Sequence, residues 1–255
     1  MIRLGHSPPR RLWPPALTLV ALIAIWESWV DLAHIDQSLL PPPSAIFRGL
    51  RSDAGELASV GWSTLRAALI GLLLATLLAV LIAALIDAST VARRVLEPLL
   101  VASQTLPIIA IAPLLVIWTS FEPAKVLVVA LYALFPIAVG IIRGLEQTDP
   151  EAINLVRTMG AGRWRTLAAV RVPSAAASIF TGMRLATAYA VPAALVGEYV
   201  GGGGLGQYML QASHGGATDL VFAGVVVSVA LTFALYVAIV LIERVAAPWL
   251  RQRVV

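Results

Sequence analysis

Several charged side chains of this sequence lie inside long apolar runs, where an unpaired charge is costly. Arg184 and Glu198 share one run, and Glu27 lies in another. A charge at the centre of a bilayer costs about 2.5 to 3.5 kcal/mol on insertion scales, so such groups usually face the interior of a protein. Four helical turns, about 21 Å, separate Arg184 from Glu198, so the two cannot form one salt bridge. Each of the two residues either lines a polar path or has a structural role. In the structural role, Arg184 would bind carbonyl groups freed near a proline, and Glu198 would reach the headgroup region.

Polar and aromatic residues in the other apolar runs are further candidates to line a path. Ser103 and Gln104 lie close to Pro107, which removes a backbone donor and loosens a helix. Irregular backbone at membrane depth is tolerated where it faces water, although a packing kink explains the same pattern. Aromatic residues either add to such a path or belong to the belts near the headgroups. The candidate path-lining residues are Ser103, Gln104, Pro107, Trp118, Tyr132, Arg184, Tyr189 and Glu198.

The sequence lacks the motifs of the common catalytic, metal-binding and nucleotide-binding sites. It has no cysteine, and His6, His34 and His214 do not have the spacing of metal ligands. Neither His-Glu-x-x-His nor Gly-x-Ser-x-Gly occurs, which disfavours an intramembrane enzyme. Because Gly-x-x-x-x-Gly-Lys-Ser/Thr is also missing, any ATP chemistry must reside on another chain. The basic residues are scattered rather than clustered on one face, which disfavours nucleic-acid binding.

The composition predicts an all-α membrane protein. Of the 255 residues, 59% are hydrophobic and 13% are charged, whereas a typical soluble domain has about 25% charged residues. A helix that crosses a bilayer needs about 20 mostly apolar residues, and windows of that length are too long for barrel strands. We therefore expect six transmembrane helices, at residues 13–30, 65–86, 95–119, 124–142, 175–200 and 220–242. The third window is interrupted by Pro107 and Pro113.

The basic residues predict the orientation of these spans, because Lys and Arg concentrate in cytoplasmic segments. With the N-terminus inside, most of the 18 Lys and Arg residues are cytoplasmic, and the external ones are Arg48, Arg51, Arg66 and Lys125. Both termini are thus predicted to be cytoplasmic, with residues 1–12 as an N-terminal segment and 13–255 as the six-span domain. No small-residue cleavage site follows the first span, so we expect it to be retained.

The first external segment, residues 31–62, contains three consecutive prolines followed by Ser44. Because proline cannot continue the interior of a helix, we expect Ser44 to cap a short interfacial helix over residues 45–50. Glu27, in the preceding span, either snorkels outward, pairs with a neighbouring span or faces a path.

The cytoplasmic segment 143–172 has a helical pattern of its own. Asp149 followed by Pro150 predicts the start of a helix, and Glu151 places an acid in the first turn, where the helix dipole favours it. Gly160 predicts the end of this helix, because glycine readily adopts the left-handed conformation.

This segment has an apolar stripe of Ile153, Val156 and Met159, followed by a second short helix from Arg163. Pro173 marks the return to the membrane. An amphipathic element of this kind either docks into a groove on a soluble partner or rests on anionic lipid.

The segment resembles the cytoplasmic coupling loop of binding-protein-dependent ABC importer permeases. That family's motif is Glu-Ala-Ala, three residues, Gly, nine residues, Ile, any residue and Leu-Pro. Aligned on Gly160, this chain has Asn154-Leu155-Val156 and Val170-Arg171-Val172-Pro173, so the glycine, the proline and their spacing fit, whereas Asn154 replaces the glutamate. Three other stretches are similar to the branch that handles nitrate, sulfonates, taurine and thiamine-precursor pyrimidines: Leu40-Pro41-Pro42-Pro43-Ser44, Gly182-Met183-Arg184-Leu185-Ala186, and Gly197-Glu198 with Gly203-Gly204-Leu205-Gly206.

The resemblance implies the type I ABC importer permease fold in the bacterial cytoplasmic (inner) membrane. Two permease chains, expected to be a homodimer, would form the path for a small polar solute that an extracytoplasmic binding protein delivers. Two cytoplasmic ATPase subunits would bind ATP and Mg, and this chain would bind no cofactor. The resemblance implies coupling to the ATPases through the loop 149–165, and the residues implied in this coupling are Asp149, Glu151, Asn154, Arg157, Met159, Gly160, Ala161, Arg163 and Pro173.

A secondary carrier or a membrane scaffold protein is the alternative. Secondary carriers commonly contain an inverted repeat, and none is convincing here. The identity of the solute stays open among a sulfonate, nitrate, a pyrimidine and other small molecules, because the binding protein makes much of the selection in these importers.

Overall fold

The computed structural model describes residues 13–253, and all regular structure among them is helical. The helices are α1 Trp13–Leu32, α2 Pro43–Ser52, α3 Ala54–Ala88, α4 Thr90–Ser103, α5 Ile108–Thr119, α6 Phe121–Glu146, α7 Pro150–Thr158, α8 Arg163–Thr166, α9 Val172–Gly201, α10 Gly204–His214 and α11 Thr218–Ala246. A π-helical segment, Leu167–Arg171, joins α8 to α9, and a 3₁₀ helix, Pro248–Arg253, follows α11. The predicted segment 1–12 lies outside the described residues.

Four continuous segments are long and apolar enough to cross a membrane, namely α3, α6, Arg163–Gly201 and α11. The pair α4 and α5 passes the same test jointly, but the two helices meet at a bend of 104°. The expected break in span 95–119 is therefore at Pro107, which precedes the first residue of α5. Pro113 lies within α5 and does not break it, which corrects the prediction of a second interruption.

The helix α3 begins at Ala54, well before the predicted span 65–86. Its 35 residues correspond to about 52 Å, which exceeds the hydrocarbon core of about 30 Å. The extension is helical because it packs against protein: Leu57 is buried with Leu205, Tyr208 and Met209 of α10. Hydropathy alone detects only the lipid-embedded part of such a helix.

The helices α6 and α9 form the centre of the structure and cross at small residues. A Cβ atom at Gly182 would overlap the carbonyl oxygen of Pro136, and one at Gly140 would lie 2.8 Å from the carbonyl oxygen of Ser178. Small residues permit such close helix contacts in membranes, where burial of apolar surface gives no driving force between helices. The crossing fixes the two helices on which four of the eight candidate path residues lie.

Ser44 is not the cap of α2, contrary to the sequence-based expectation. The helix begins at Pro43, with Pro42 in the capping position, and the Ser44 side chain caps nothing. Instead, the backbone N–H of Ser44 donates to the Glu27 carboxylate at 3.0 Å. The observed partner of Glu27 is thus the start of the short helix α2 and not a neighbouring span, because free N–H groups at a helix start attract a carboxylate.

Pro173 does not start a separate helix, because Arg163–Gly201 is a continuous helical segment. Proline has no N–H to donate to the carbonyl four residues earlier, and its ring crowds that carbonyl. The chain accommodates this by a π-helical turn in which the N–H of Val172 donates to the carbonyl of Leu167. The expected return to the membrane at Pro173 is thus a change of helical register inside one segment.

Candidate docking loop and translocation path

The helix α7 begins and ends at the predicted residues. The Asp149 side chain accepts from the N–H of Glu151 at 2.8 Å, and Pro150 is the first helical residue. Gly160 has φ +83°, and the N–H of Ala161 donates to the carbonyl of Val156 at 3.1 Å, which closes the C-terminus. The boundaries of α7 predicted from the sequence are therefore confirmed.

The apolar residues of α7 and its neighbours point in two directions. Ile153 and Val156 are half-buried against the protein, whereas Leu155, Met159 and Trp164 are 63%, 78% and 80% exposed. The predicted stripe of Ile153, Val156 and Met159 is wrong as a single face, because Met159 lies beyond the last turn of α7. The outward apolar surface consists of Leu155, Met159 and Trp164, which we call the outer face.

The polar candidates of this segment lie around the outer face. Asn154, Arg157 and Arg163 are exposed, and Ala161 is half-buried. Pro173 is half-buried, and its carbonyl accepts from the Trp249 indole N–H at 3.1 Å.

A salt bridge attaches the π segment to the end of α3. The Arg171 guanidinium donates to both oxygens of Asp87, at 2.9 and 2.7 Å, and Nη2 also donates to the Leu145 carbonyl at 3.3 Å. Arg163 lies 3.9 Å from the same carboxylate. Bidentate pairing fixes both distance and orientation, so the segment that carries the outer face is held against α3 and α6.

Four of the candidate path residues line one cavity of about 240 Å³: Ser103, Gln104, Tyr132 and Tyr189. The rings of Tyr132 and Tyr189 are 6.3 Å apart with an interplanar angle of 30°. A second cavity, of about 480 Å³, shares Phe135, Pro136 and Leu185 with the first. It extends along α6 and α9 to Arg143 and Gln147, near the start of the α7 segment. Together the two cavities form a groove from the α4–α5 bend to the end of α6.

The remaining path candidates lie elsewhere. Pro107 precedes α5 next to the cavity but does not line it, and Trp118 is 70% exposed near the other end of α5. Arg184 forms a 3.0 Å salt bridge with Glu243 of α11, and its side chain is 30% exposed. Of its two sequence-based interpretations, the structural one is favoured, although its partner is a carboxylate rather than freed carbonyls.

Glu198 is fully buried in a hydrogen-bonded turn that we call the glycine turn, residues 197–206. Its carboxylate lies 2.8 Å from the Thr64 hydroxyl and accepts from the N–H of Gly206 at 2.9 Å. The Thr64 hydroxyl in turn accepts from the N–H of Leu205 at 2.9 Å. The glutamate therefore neither lines the groove nor reaches the headgroups, and it ties α3, α9 and α10 together.

The profile of the family described as binding-protein-dependent transport system inner membrane component matches residues 71–252, more than half of the chain. The chain belongs to this family. It is an inner-membrane permease subunit of an ABC importer, a class whose ATPase is a separate subunit.

Individual relatives agree with this assignment. The permease is 36% identical to the riboflavin transport system permease protein RibX of Chloroflexus aurantiacus, over 96% of this chain and 94% of that protein. It is 33% identical to the formylaminopyrimidine transport permease protein ThiX of Halalkalibacterium halodurans, over 94% and 96%. The inward-facing methionine ABC transporter MetNI has a chain of the same fold, with a TM-score of 0.64 and 21% identity over 74% of this chain and 95% of that one.

Sequence reasoning missed three functional or structural partners in the permease. Asp87 and Glu243 hold Arg171 and Arg184, and Thr64 holds Glu198. Lys125, predicted to be an external cation, is fully buried and pairs with Glu122 at 2.7 Å. Asp87 and Glu243 lie near the ends of apolar helices, a position that could have marked them as partners for basic residues of the neighbouring segments.

Proposed function

We propose that the permease transmits ATP-driven movement through the α7–α8 loop, residues 149–166, and passes its solute along the groove beside Tyr132 and Tyr189. The observation that carries the docking proposal is the outer face, where Leu155, Met159 and Trp164 are all more than 60% exposed. Large exposed apolar side chains on and next to a short helix are typical of a surface that inserts into a groove of a partner. The partner is the ATPase, because the family is driven by a separate ATPase subunit.

The loop has the rigidity that a lever requires. Its helix is capped by Asp149, and its far end is anchored by the Arg171–Asp87 salt bridge to α3. A displacement of the outer face would therefore be passed to the ends of α3, α6 and α9 rather than lost in a flexible connection. We propose Asp149, Glu151, Asn154, Arg157, Met159, Gly160, Ala161, Arg163 and Pro173 as the coupling set.

Co-purification with the ATPase tests the docking assignment. In Met159→Arg and Gly160→Asp permeases we expect the ATPase to be lost on affinity purification while the permease stays folded. Val91→Arg is the matched control, because Val91 is also apolar and 69% exposed but lies on α4. Retention of the ATPase and of transport in the first two variants would overturn the assignment.

The groove suits a small polar solute. Ser103 and Gln104 offer hydrogen-bonding groups, and the Tyr132 and Tyr189 rings, 40% and 44% exposed, offer aromatic surface. Two of the relatives are named for riboflavin and formylaminopyrimidine, both of which contain aromatic rings that stack on such surfaces. A second copy of the permease would close the open side of the groove, so we propose a homodimer. We also propose that an extracytoplasmic binding protein delivers the solute to it.

Uptake measurements test this path. With riboflavin, formylaminopyrimidine and taurine as the first solutes, we expect Tyr132→Ala and Tyr189→Ala to lower uptake without loss of the ATPase. Tyr236→Ala is the control, since Tyr236 is 42% exposed on α11, outside the groove. Equal uptake by all three variants would contradict the assignment.

We further propose six membrane crossings, formed by α1, α3, the α4–α5 pair, α6, α9 and α11, with both termini in the cytoplasm. Because the chain has no cysteine, single cysteines report sidedness without background. We expect Ser38→Cys to react with an impermeant maleimide from outside, and Trp164→Cys and Ser7→Cys to react only after the membrane is opened. Labelling of Trp164→Cys from outside would show that the orientation is the reverse of the proposed one.

A further inference from the structure

A large cavity lies between the loop-side ends of α3, α6 and α9, on a different side of α6 from the groove. Its volume is about 860 Å³, and it is bounded towards the α7–α8 loop by Arg157, Arg163, Trp164 and Arg171. The remainder of its wall is mostly apolar and includes Thr76, Val80, Ala84, Ile141, Ile179 and Met183. The cavity thus combines a basic rim with an apolar well.

The length of the well matches one leaflet of a bilayer. Along α3 its lining extends from Thr76 to Asp87, a distance of about 16 Å. The hydrocarbon core of a bilayer is about 30 Å thick, so the length of the well corresponds to about one leaflet. An acyl chain has this length and this chemistry.

The charges of the rim favour an anion. Three guanidinium groups face one carboxylate, Asp87, which is already bound by Arg171 through both oxygens. Arg163 is 66% exposed and reaches the same carboxylate only at 3.9 Å, and Arg157 has no carboxylate partner within the described residues. The Nε–H of Arg171 is buried without an acceptor in that part of the chain. The rim therefore has donors and positive charge that the protein does not satisfy.

We propose that this cavity binds one anionic phospholipid, with its phosphate on Arg157 and Arg163 and one acyl chain in the well. Basic pockets between the ends of transmembrane helices bind anionic headgroups in this manner. The chain's own N-terminal segment is a poor occupant, because it contains Arg3, Arg10 and Arg11 and no acidic residue before Glu27. Of the outer face, only Trp164 also lines the cavity, so a lipid here would contact Trp164 without covering Leu155 and Met159.

Native mass spectrometry of the full-length permease, titrated with phosphatidylglycerol or phosphatidylcholine, tests the proposal. We expect one retained phosphatidylglycerol per chain. Phosphatidylcholine should bind more weakly, and its binding should not saturate. In Arg157→Gln/Arg163→Gln, phosphatidylglycerol binding should weaken about thirtyfold, since each basic residue near an anionic headgroup contributes about a fivefold effect. The matched control is Arg94→Gln/Arg244→Gln, which removes the same charge from two exposed arginines outside the cavity. Equal weakening in both double variants would overturn the site.

Two further measurements separate a lipid from other ligands. Ala84→Phe narrows the well without changing charge, and it should also weaken phosphatidylglycerol binding. Unchanged binding in this variant would show that no acyl chain occupies the well and would overturn the proposal. Displacement of the lipid by inorganic phosphate at equal concentration would show a simple anion site instead, with the same consequence. Folding of each variant is checked by size-exclusion chromatography, and these readouts do not depend on the ATPase or on transport.

Discussion

The glycine turn and the α7–α8 loop both contain glycines, but those of the turn are tightly packed and those of the loop are in open space. In the glycine turn, a Cβ atom at Gly204 would overlap the Glu198 carboxylate, and one at Gly206 would lie 2.7 Å from the Cβ of Glu198. In the loop, a Cβ atom at Gly160 or Gly162 would have no neighbour within 4 Å. The turn is packed by the permease itself, whereas the loop leaves its surface exposed. We infer that the first region determines stability and the second determines association.

Removal of the buried carboxylate should have the largest effect on stability. Glu198→Ala leaves the N–H of Gly206 without its acceptor in a buried site, and the Thr64 hydroxyl then has only the Val60 carbonyl as an acceptor. The free energy of unfolding should fall by about 3 to 5 kcal/mol, as for other broken buried polar networks. Chemical unfolding of the purified permease in detergent measures this loss.

Glu151→Ala in the first turn of α7 is the control for this variant. Its side chain is exposed, so we expect a change within about 0.5 kcal/mol. A similar loss in both variants would mean that the two regions do not differ in the way proposed.

The next largest effect should separate the two sets of glycines. Gly204→Ala combines a left-handed backbone, φ +65°, with direct overlap on Glu198, and should cost about 4 kcal/mol. Gly160→Ala has only the backbone penalty, φ +83° in open space, and should cost about 1 to 2 kcal/mol. Thermal unfolding of the two variants side by side shows which of them loses more stability. If Gly160→Ala proves the more damaging, the loop must be packed more tightly than its open surroundings indicate.

The local features of both regions could be predicted from the sequence. Asp149, Pro150 and Gly160 are capping signals that act within one or two turns, so they mark the ends of α7. The break at Pro107 follows equally from the missing backbone donor. The apolar windows 65–86, 124–142, 175–200 and 220–242 lie within the long helices α3, α6, α9 and α11, because long apolar runs of this length favour helices that can cross a membrane.

The partners of the buried charges could not be predicted in this way. Glu198 meets Thr64 across 134 residues of sequence, and Arg171 meets Asp87 across 84. Such contacts depend on how the helices pack, which no local pattern encodes. The same limit explains why Glu198 and Arg184 were equally good candidates for a path, although the structure gives each of them a protein partner.

A smaller effect should come from the salt bridge between α9 and α11. Arg184 and Glu243 are partly exposed, so their coupling energy should be about 1 kcal/mol rather than the value for a fully buried pair. A double-mutant cycle with Arg184→Met and Glu243→Gln measures it by unfolding. Additive single effects would show that the pair does not hold α11. If Arg184→Met lost transport while its stability stayed normal, Arg184 would instead be assigned to the path.

The smallest change in stability, with a large change in association, should occur within α7 itself. Leu155 is 63% exposed and Ile153 is half-buried, although they are only two positions apart on the same helix. Leu155→Asp should alter the free energy of unfolding by less than about 0.5 kcal/mol, because most of its side chain is exposed. It should nevertheless abolish co-purification of the ATPase, since a carboxylate would be buried in the partner's groove.

Ile153→Ala should show the reverse pattern, with a loss of about 1 kcal/mol in unfolding and retention of the ATPase, because its contacts are with the permease. Unfolding and co-purification are measured on the same preparations, so expression differences cancel. If both variants lose stability together, α7 has a single packed face and the outer face is not a docking surface. If only Leu155→Asp releases the ATPase, the helix is divided between a side that belongs to the permease and a side that belongs to its partner.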